Sequence, residues 1–222
     1  MFRIKICGVT NVEDALAAAE AGADAIGLNF YDRSPRCVSR ETAAQIADAL
    51  PEGVKIVGVF VNATSSDIRS LYHDLALDLV QLHGDEPAEF LVDLDGIPVM
   101  RAFRPDGNWS LVREYLLRCD AQGNRPNMAL VDAFSKVQYG GTGETVDWPA
   151  VKANRAIFSS VPVVLAGGLT PDNVEQAIGI AKPDAVDTAS GVEASPGRKS
   201  IEKMQSFVAA ARRAFDLSDK SG

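Results

Sequence analysis

Two residues of this chain combine a side chain able to move protons with a place at the end of a strand-like run. Cys7 closes "FRIKIC", and Asp132 follows "NMALV". A thiolate can take a proton from carbon, and a carboxylic acid can give one to a leaving oxygen. Singly, each has a plain structural explanation. Cysteine is often a small buried residue, and aspartate after a strand is often a turn or cap residue. If both strands end on the same side of one sheet, the two become an acid and a base facing a common space. The thiol then needs help to ionise, because free cysteine titrates near pKa ~8.5. Lys5 lies two residues earlier on the same strand face, roughly 6.5–7 Å away by strand rise, and a cation there favours the thiolate. Asp132 needs the opposite, apolar surroundings that keep its proton in place.

Groups able to hold an anion occur nearby in the pattern. "YDRSPRCVS" carries Arg33 and Arg36 on a Ser-Pro turn. Arg36 follows the stiff Pro35 and is the better candidate for bidentate carboxylate binding, while Arg33 reads as a solvated loop charge. Three glycine-rich turns lie in the second half: "YGGTGETVDW" with Gly141, "LAGGLTPDNV" with Gly167 and Gly168, and "DTASGVEASPGRKS" with Ser190 and Gly191. Glycine lets backbone N–H groups approach an oxyanion closely. No dinucleotide fingerprint follows the first strand, and no Walker A lysine motif is present. In the second turn, Thr170 is expected to cap a helix with Pro171 in its first turn.

The elements that must position these residues alternate from end to end. Strand-like runs are "FRIKIC", "DAIGLNF", "VKIVGVFVN", "LDLVQLHG", "IPVMRAF", "NMALVDAF", "VPVVLAGG" and "PDAVDTASG". Between them lie helical stretches such as "NVEDALAAAEAGA", "SRETAAQIADAL", "SSDIRSLYHDLA" with a serine cap, the short "EPAEFLVDL", "WSLVREYLLRCD" and "SIEKMQSFVAAARRAF". Eight strand–helix units in one chain of this length predict a single α/β domain over 1–222, a (β/α)8 TIM barrel, with the tail from about 216 to 222 frayed. "GADAIGLN", "LALDLVQLHG" and "KPDAVDTASG" each set an acidic residue just before a strand, as a repeated unit does. Polar residues at alternate strand positions, namely Lys5, Cys7, Asn29, Gln81, His83, Arg101 and Asp187, are expected to face the barrel interior and its mouth. The turns after strands seven and eight fall where such barrels bind phosphate, so a small phosphorylated ligand is expected.

Composition narrows the partners. The 222 residues are 46% apolar, with 22 Lys and Arg against 30 Asp and Glu, a net charge of -8. That balance argues against nucleic acid and anionic membrane. Three scattered cysteines propose no disulfide framework, and two histidines without a Cys/His cluster argue against a metal site. No apolar leader or membrane-length window is seen, so a soluble cytoplasmic protein is expected; the sequence leaves monomer and homodimer both open.

"KICGVT", "SPR", "QLHG", "LVDAF", "GGTG", "LAGGL" and "SGVE" followed by "PG" occur in that order. Together they resemble the phosphoribosylanthranilate isomerases over all eight units. The resemblance implies an Amadori rearrangement in tryptophan biosynthesis. Asp132 would be the general acid that opens the ribose, and Cys7 the general base at C2. Arg36 would hold the anthranilate carboxylate. Gly167, Gly168, Ser190 and Gly191 would hold the phosphate, with Gly141 in the loop over the ligand. It implies no metal and no organic cofactor. Gln81 and His83 point into the mouth by strand phase without an assigned role. Cys37 and Ser200 depart from the family pattern, and serine can still cap the last helix. The rivals are a metal-dependent sugar-phosphate epimerase, a dual-substrate sugar isomerase with two aspartates, and a non-catalytic phosphate sensor on the same barrel.

Overall fold

The computed structural model describes residues 1–133 and 146–219. Eight parallel strands close into one barrel in chain order: β1 (Ile4–Cys7), β2 (Ala25–Asn29), β3 (Lys55–Phe60), β4 (Leu79–Leu82), β5 (Val99–Phe103), β6 (Met128–Val131), β7 (Val163–Leu165) and β8 (Ala185–Thr188). The helices between them are α1 (Val12–Glu20), α2 (Arg40–Ala49), α3 (Ser65–Asp74), α4 (Trp109–Ala121), α5 (Trp148–Ala153), α6 (Val174–Ala181) and α7 (Ile201–Asp219). After β4 the connection is a 3-10 helix, Ala88–Leu94, and after β8 comes a short antiparallel hairpin, β9 (Glu193–Ser195) with β10 (Arg198–Lys199). The expected (β/α)8 barrel is the observed fold.

Local chemistry explains where the helices begin. Asn11 and Ser39 accept from the amides of Asp14 and Thr42, capping α1 and α2. Helix α3 is capped by Thr64, not by the expected serine: Thr64 is extended and Oγ1 accepts from the Asp67 amide at 3.1 Å, while its hydroxyl donates to Asp67 Oδ2 at 2.6 Å. Thr170 does not cap α6 either. A turn at 171–173 intervenes, and Asn173 Oδ1 accepts from the Thr170 amide at 2.8 Å. Ser200 does cap α7, accepting from the Lys203 amide at 3.3 Å. Of the tail expected to fray from about 216 to 222, residues 216–219 belong to α7, where the Asp219 carboxylate accepts from Nη1 and Nη2 of Arg3 at 2.8 and 3.3 Å; 220–222 lie outside the described residues.

Strand phase splits the apolar residues in two. The larger cluster, with Ile6, Leu28, Phe60, Val131 and Phe207, lies between sheet and helices. The smaller, with Val57, Met100, Met128, Leu130 and Val164, fills the lumen. Arg101 sits between the lumen residues Met100 and Ala102, so it points outward, contrary to expectation. It pairs there with the buried Glu86 at 3.0 Å and lies 5.2 Å from the Tyr115 ring centre.

The polar residues before the even strands perform one repeated task. Asp24, Asp78 and Asp184 each accept from a backbone amide near the start of the preceding odd strand: Ile4 at 2.9 Å, Ile56 at 2.9 Å and Val163 at 2.7 Å. Asn127 does the same for Val99 at 2.8 Å. All four lie at the N-terminal end of the barrel and satisfy amides that a strand start would otherwise leave open.

Candidate active site

At the opposite end, the C-termini of the strands surround one cavity. Cys7, Arg36, Gln81, His83 and Asp132 line it, together with the turns at Gly167–Gly168 and Ser190–Gly191. Residues from six strand ends thus converge, although up to 184 positions separate them in the chain. Gly141 and the rest of "GGTG" lie outside the described residues.

Glycines make the close approaches possible. Gly27 is the register partner of Cys7 on β2, and a Cβ there would stand 2.6 Å from the Cys7 sulfur. Gly8 has φ +70°, and a Cβ on it would collide with the Arg36 side chain, which lies flat across it. A Cβ at Gly167 would stand 2.6 Å from the Ala133 amide nitrogen and 3.1 Å from Asp132 Oδ1. The turn after β7 therefore comes up directly against the carboxyl at the end of β6.

A continuous hydrogen-bonded chain runs from Lys5 in the lumen up into the wall of the cavity. Lys5 Nζ lies 2.9 Å from Asp187 Oδ1 and 3.0 Å from Gln81 Oε1. Gln81 Nε2 is 2.7 Å from His83 Nδ1, and His83 Nε2 is 3.1 Å from Asp132 Oδ2. Donor capacity sets the direction. An ammonium only donates, so Gln81 Oε1 accepts and its NH2 group donates to His83 Nδ1. Neutral His83 then carries its proton on Nε2 and donates it to Asp132. Asp132 Oδ1 accepts from the Ala133 amide at 2.8 Å. The carboxyl expected in apolar surroundings is held instead by two donors that fix its orientation.

The thiol differs from expectation in a similar way. Burial pushes the Cys7 thiol above its ordinary range, and the nearby Asp187 adds to this. Lys5 pulls downward without overcoming them. Lys5 itself is fully buried. Desolvation works against its charge, but Asp187 and Cys7 outweigh it and raise its pKa. Its positive charge faces Asp187, Gln81 and Cys7 together, and its pull on the thiol is smaller than the desolvation that opposes it.

Arg36 belongs to a second buried cluster. Its Nε and Nη2 donate to Glu193 Oε1 and Oε2, each at 2.8 Å. Glu193 Oε1 also accepts from Lys199 Nζ at 3.0 Å. Burial pushes the Glu193 carboxyl upward, but Arg36 and Lys199 together hold it below the ordinary range. Glu193 closes "SGVE", and its sequence context assigns it no task. Its partner is 157 residues away, and nothing local marks the pair. The Ser-Pro turn that carries Arg36 is set by Ser34, whose hydroxyl accepts from the Arg36 amide at 3.1 Å and from Asn29 Nδ2 at 3.2 Å.

Among the described residues no group of three or more His, Cys, Asp and Glu is arranged to hold a metal ion. None of the described helices is long and apolar enough to cross a membrane.

Comparison with known proteins points to one family. The family profile described as "N-(5'phosphoribosyl)anthranilate (PRA) isomerase" matches residues 4–210. The N-(5'-phosphoribosyl)anthranilate isomerase of Geobacter sulfurreducens is 46% identical over 214 residues, 96% of this chain and 99% of that protein. The crystal structure of phosphoribosyl anthranilate isomerase from Thermotoga maritima superposes with a TM-score of 0.84 at 38% identity, covering 96% of this chain and all of that one. A further structure of such an isomerase, in complex with reduced 1-(o-carboxyphenylamino)-1-deoxyribulose 5-phosphate, gives a TM-score of 0.80 at 38% identity over 96% of this chain and 100% of the other. With a matching profile over nearly its whole length and this close relative, the chain belongs to the N-(5'-phosphoribosyl)anthranilate isomerase family.

Proposed function

We propose that this chain converts N-(5-phosphoribosyl)anthranilate into 1-(2-carboxyphenylamino)-1-deoxyribulose 5-phosphate, a step of tryptophan biosynthesis, with Asp132 as general acid and Cys7 as general base. The observation that carries the reading is the single cavity bordered by a thiol, a carboxyl, a guanidinium and two glycine turns. A substrate with a carboxylate at one end, a phosphate at the other and a sugar between needs that set of groups. Arg36 takes the carboxylate. The backbone at Gly167–Gly168 and Ser190–Gly191 takes the phosphate.

Asp132 gives its proton to the ribose ring oxygen as the nitrogen lone pair forms the C1–N double bond and the C1–O bond breaks. The product is an open-chain iminium. Cys7 thiolate then removes the proton from C2, and those electrons neutralise the iminium to give an enolamine. Its C2 enol tautomerises to the ketone. No atom is gained or lost overall. Burial that disfavours the thiolate in the free enzyme fits this order, because the iminium brings a positive charge beside Cys7 at the step that needs the base. The hydrogen bonds from Ala133 and His83 keep the Asp132 carboxyl aimed while its proton moves.

The test uses substrate made in situ from anthranilate and phosphoribosyl pyrophosphate by the preceding transferase. Loss of anthranilate-type fluorescence on adding the folded protein is expected, and absence of turnover refutes the proposal.

A further inference from the structure

Arg36 presents a question of supply. If it grips the substrate's carboxylate, it does so while another carboxylate already occupies it. Glu193 takes the Nε–H and one Nη2–H in a fork, at 2.8 Å each. A guanidinium has five N–H donors. Three remain: both on Nη1 and the second on Nη2. The Nη1–Nη2 edge is itself a fork that fits a carboxylate side by side. Arg36 lines the cavity, whereas Glu193 does not. Resting on the reading that Arg36 binds the anthranilate carboxylate, we propose that Glu193 is the positioning residue that presents the Nη1–Nη2 edge of Arg36 to the substrate.

The surroundings of Glu193 fit a built clamp. The residue is buried, at 7% exposure, on the first position of the β9–β10 hairpin. Lys199, on the other strand of that hairpin, donates from Nζ to Glu193 Oε1 and to the Ala189 carbonyl at 2.9 Å. The Lys199 backbone amide donates to Asp14 Oδ2 of α1 at 3.0 Å. Lys203 Nζ reaches the Glu193 carbonyl at 2.8 Å. The carboxylate is thus fixed from behind by Lys199 and the backbone of the same residue by Lys203, and Gly8 leaves a flat floor under the arginine stem. Arg36 keeps few rotamers: Glu193 sets the plane of its guanidinium, and Gly8 sets the height.

The test compares binding of two ligands: the reduced product analogue 1-(2-carboxyphenylamino)-1-deoxyribitol 5-phosphate, and the same molecule without the carboxyl group. In Glu193→Gln the amide NH2 opposes an arginine donor. The variant should bind the carboxylated ligand roughly tenfold more weakly, a usual size for coupling through a shared charged partner, and the other ligand unchanged. Glu193→Asp, which keeps the charge one methylene short, should fall between and covers the case that Glu193→Gln does not fold. Arg36→Met should abolish discrimination between the ligands, and adding Glu193→Gln to it should change nothing further. If both ligands weaken equally in the Glu193 variants, or neither does, the positioning role is overturned. If Arg36→Met still discriminates, the carboxylate-binding reading of Arg36 fails instead.

Discussion

The two ends of this barrel use the same kinds of polar side chain for different ends. At the N-terminal end Asp24, Asp78, Asn127 and Asp184 repeat one contact four times, each accepting a backbone amide of the preceding strand. At the C-terminal end the carboxyls of Asp187, Asp132 and Glu193 each have a different partner, and no contact is repeated. The repeated set is partly open to water, while the unrepeated set is buried. Repetition serves the closed sheet, whose strands begin alike. Function breaks the symmetry, because a substrate with unlike ends needs a different group at each strand terminus.

The contrast can be tested by breaking each end in turn. The largest effect is expected at the mouth. Cys7→Ser and Asp132→Asn should each lower kcat by roughly 10²–10⁴-fold, the usual weight of a general base or acid, while binding of the product analogue and the melting temperature stay near those of the parent. Full activity in either variant would remove that residue from its assigned role.

Next is the lumen chain that supports the mouth. Lys5→Met leaves Asp187 buried without its cation and should cost about 3–5 kcal/mol of stability in urea unfolding. Lys5→Met with Asp187→Leu should recover most of that loss. If the double variant is no more stable than the single one, the ion pair is not what Lys5 contributes.

At the N-terminal end, Asp78→Ala and Asn127→Ala each open one strand amide. Each should cost about 1–2 kcal/mol of stability with kcat unchanged. A drop in kcat with no loss of stability would overturn the division of labour between the ends.

The smallest effect is a titration. Because burial raises the Cys7 pKa, less thiolate is present at any pH below it, so the free protein should react with iodoacetamide more slowly than free cysteine near neutrality. Its rate–pH midpoint should be displaced upward. A midpoint at or below that of free cysteine means Lys5 dominates after all. Cys119 and Cys37 must first be replaced so that the readout belongs to Cys7.

The sequence by itself determined the barrel and which residues share a strand face. Eight alternating units leave few topologies, and a strand's two-residue period places Lys5 beside Cys7 and Gln81 beside His83 without reference to anything distant. The same period misplaced Arg101, because period alone does not say which face is inside. Its outward position became legible only with Met100 and Ala102 seen in the lumen. The acidic residues before strands were visible as a pattern, but their task was not, since each partner amide lies on the previous strand. What only the tertiary structure decided is the state of the site. Asp132 meets His83 across 49 residues and Arg36 meets Glu193 across 157. Burial, which decides whether Cys7 keeps its proton, depends on every element packed around it. Local rules fix where a side chain points along its own strand, whereas hydrogen-bond partners and desolvation are set by whichever distant groups the closed barrel brings within reach.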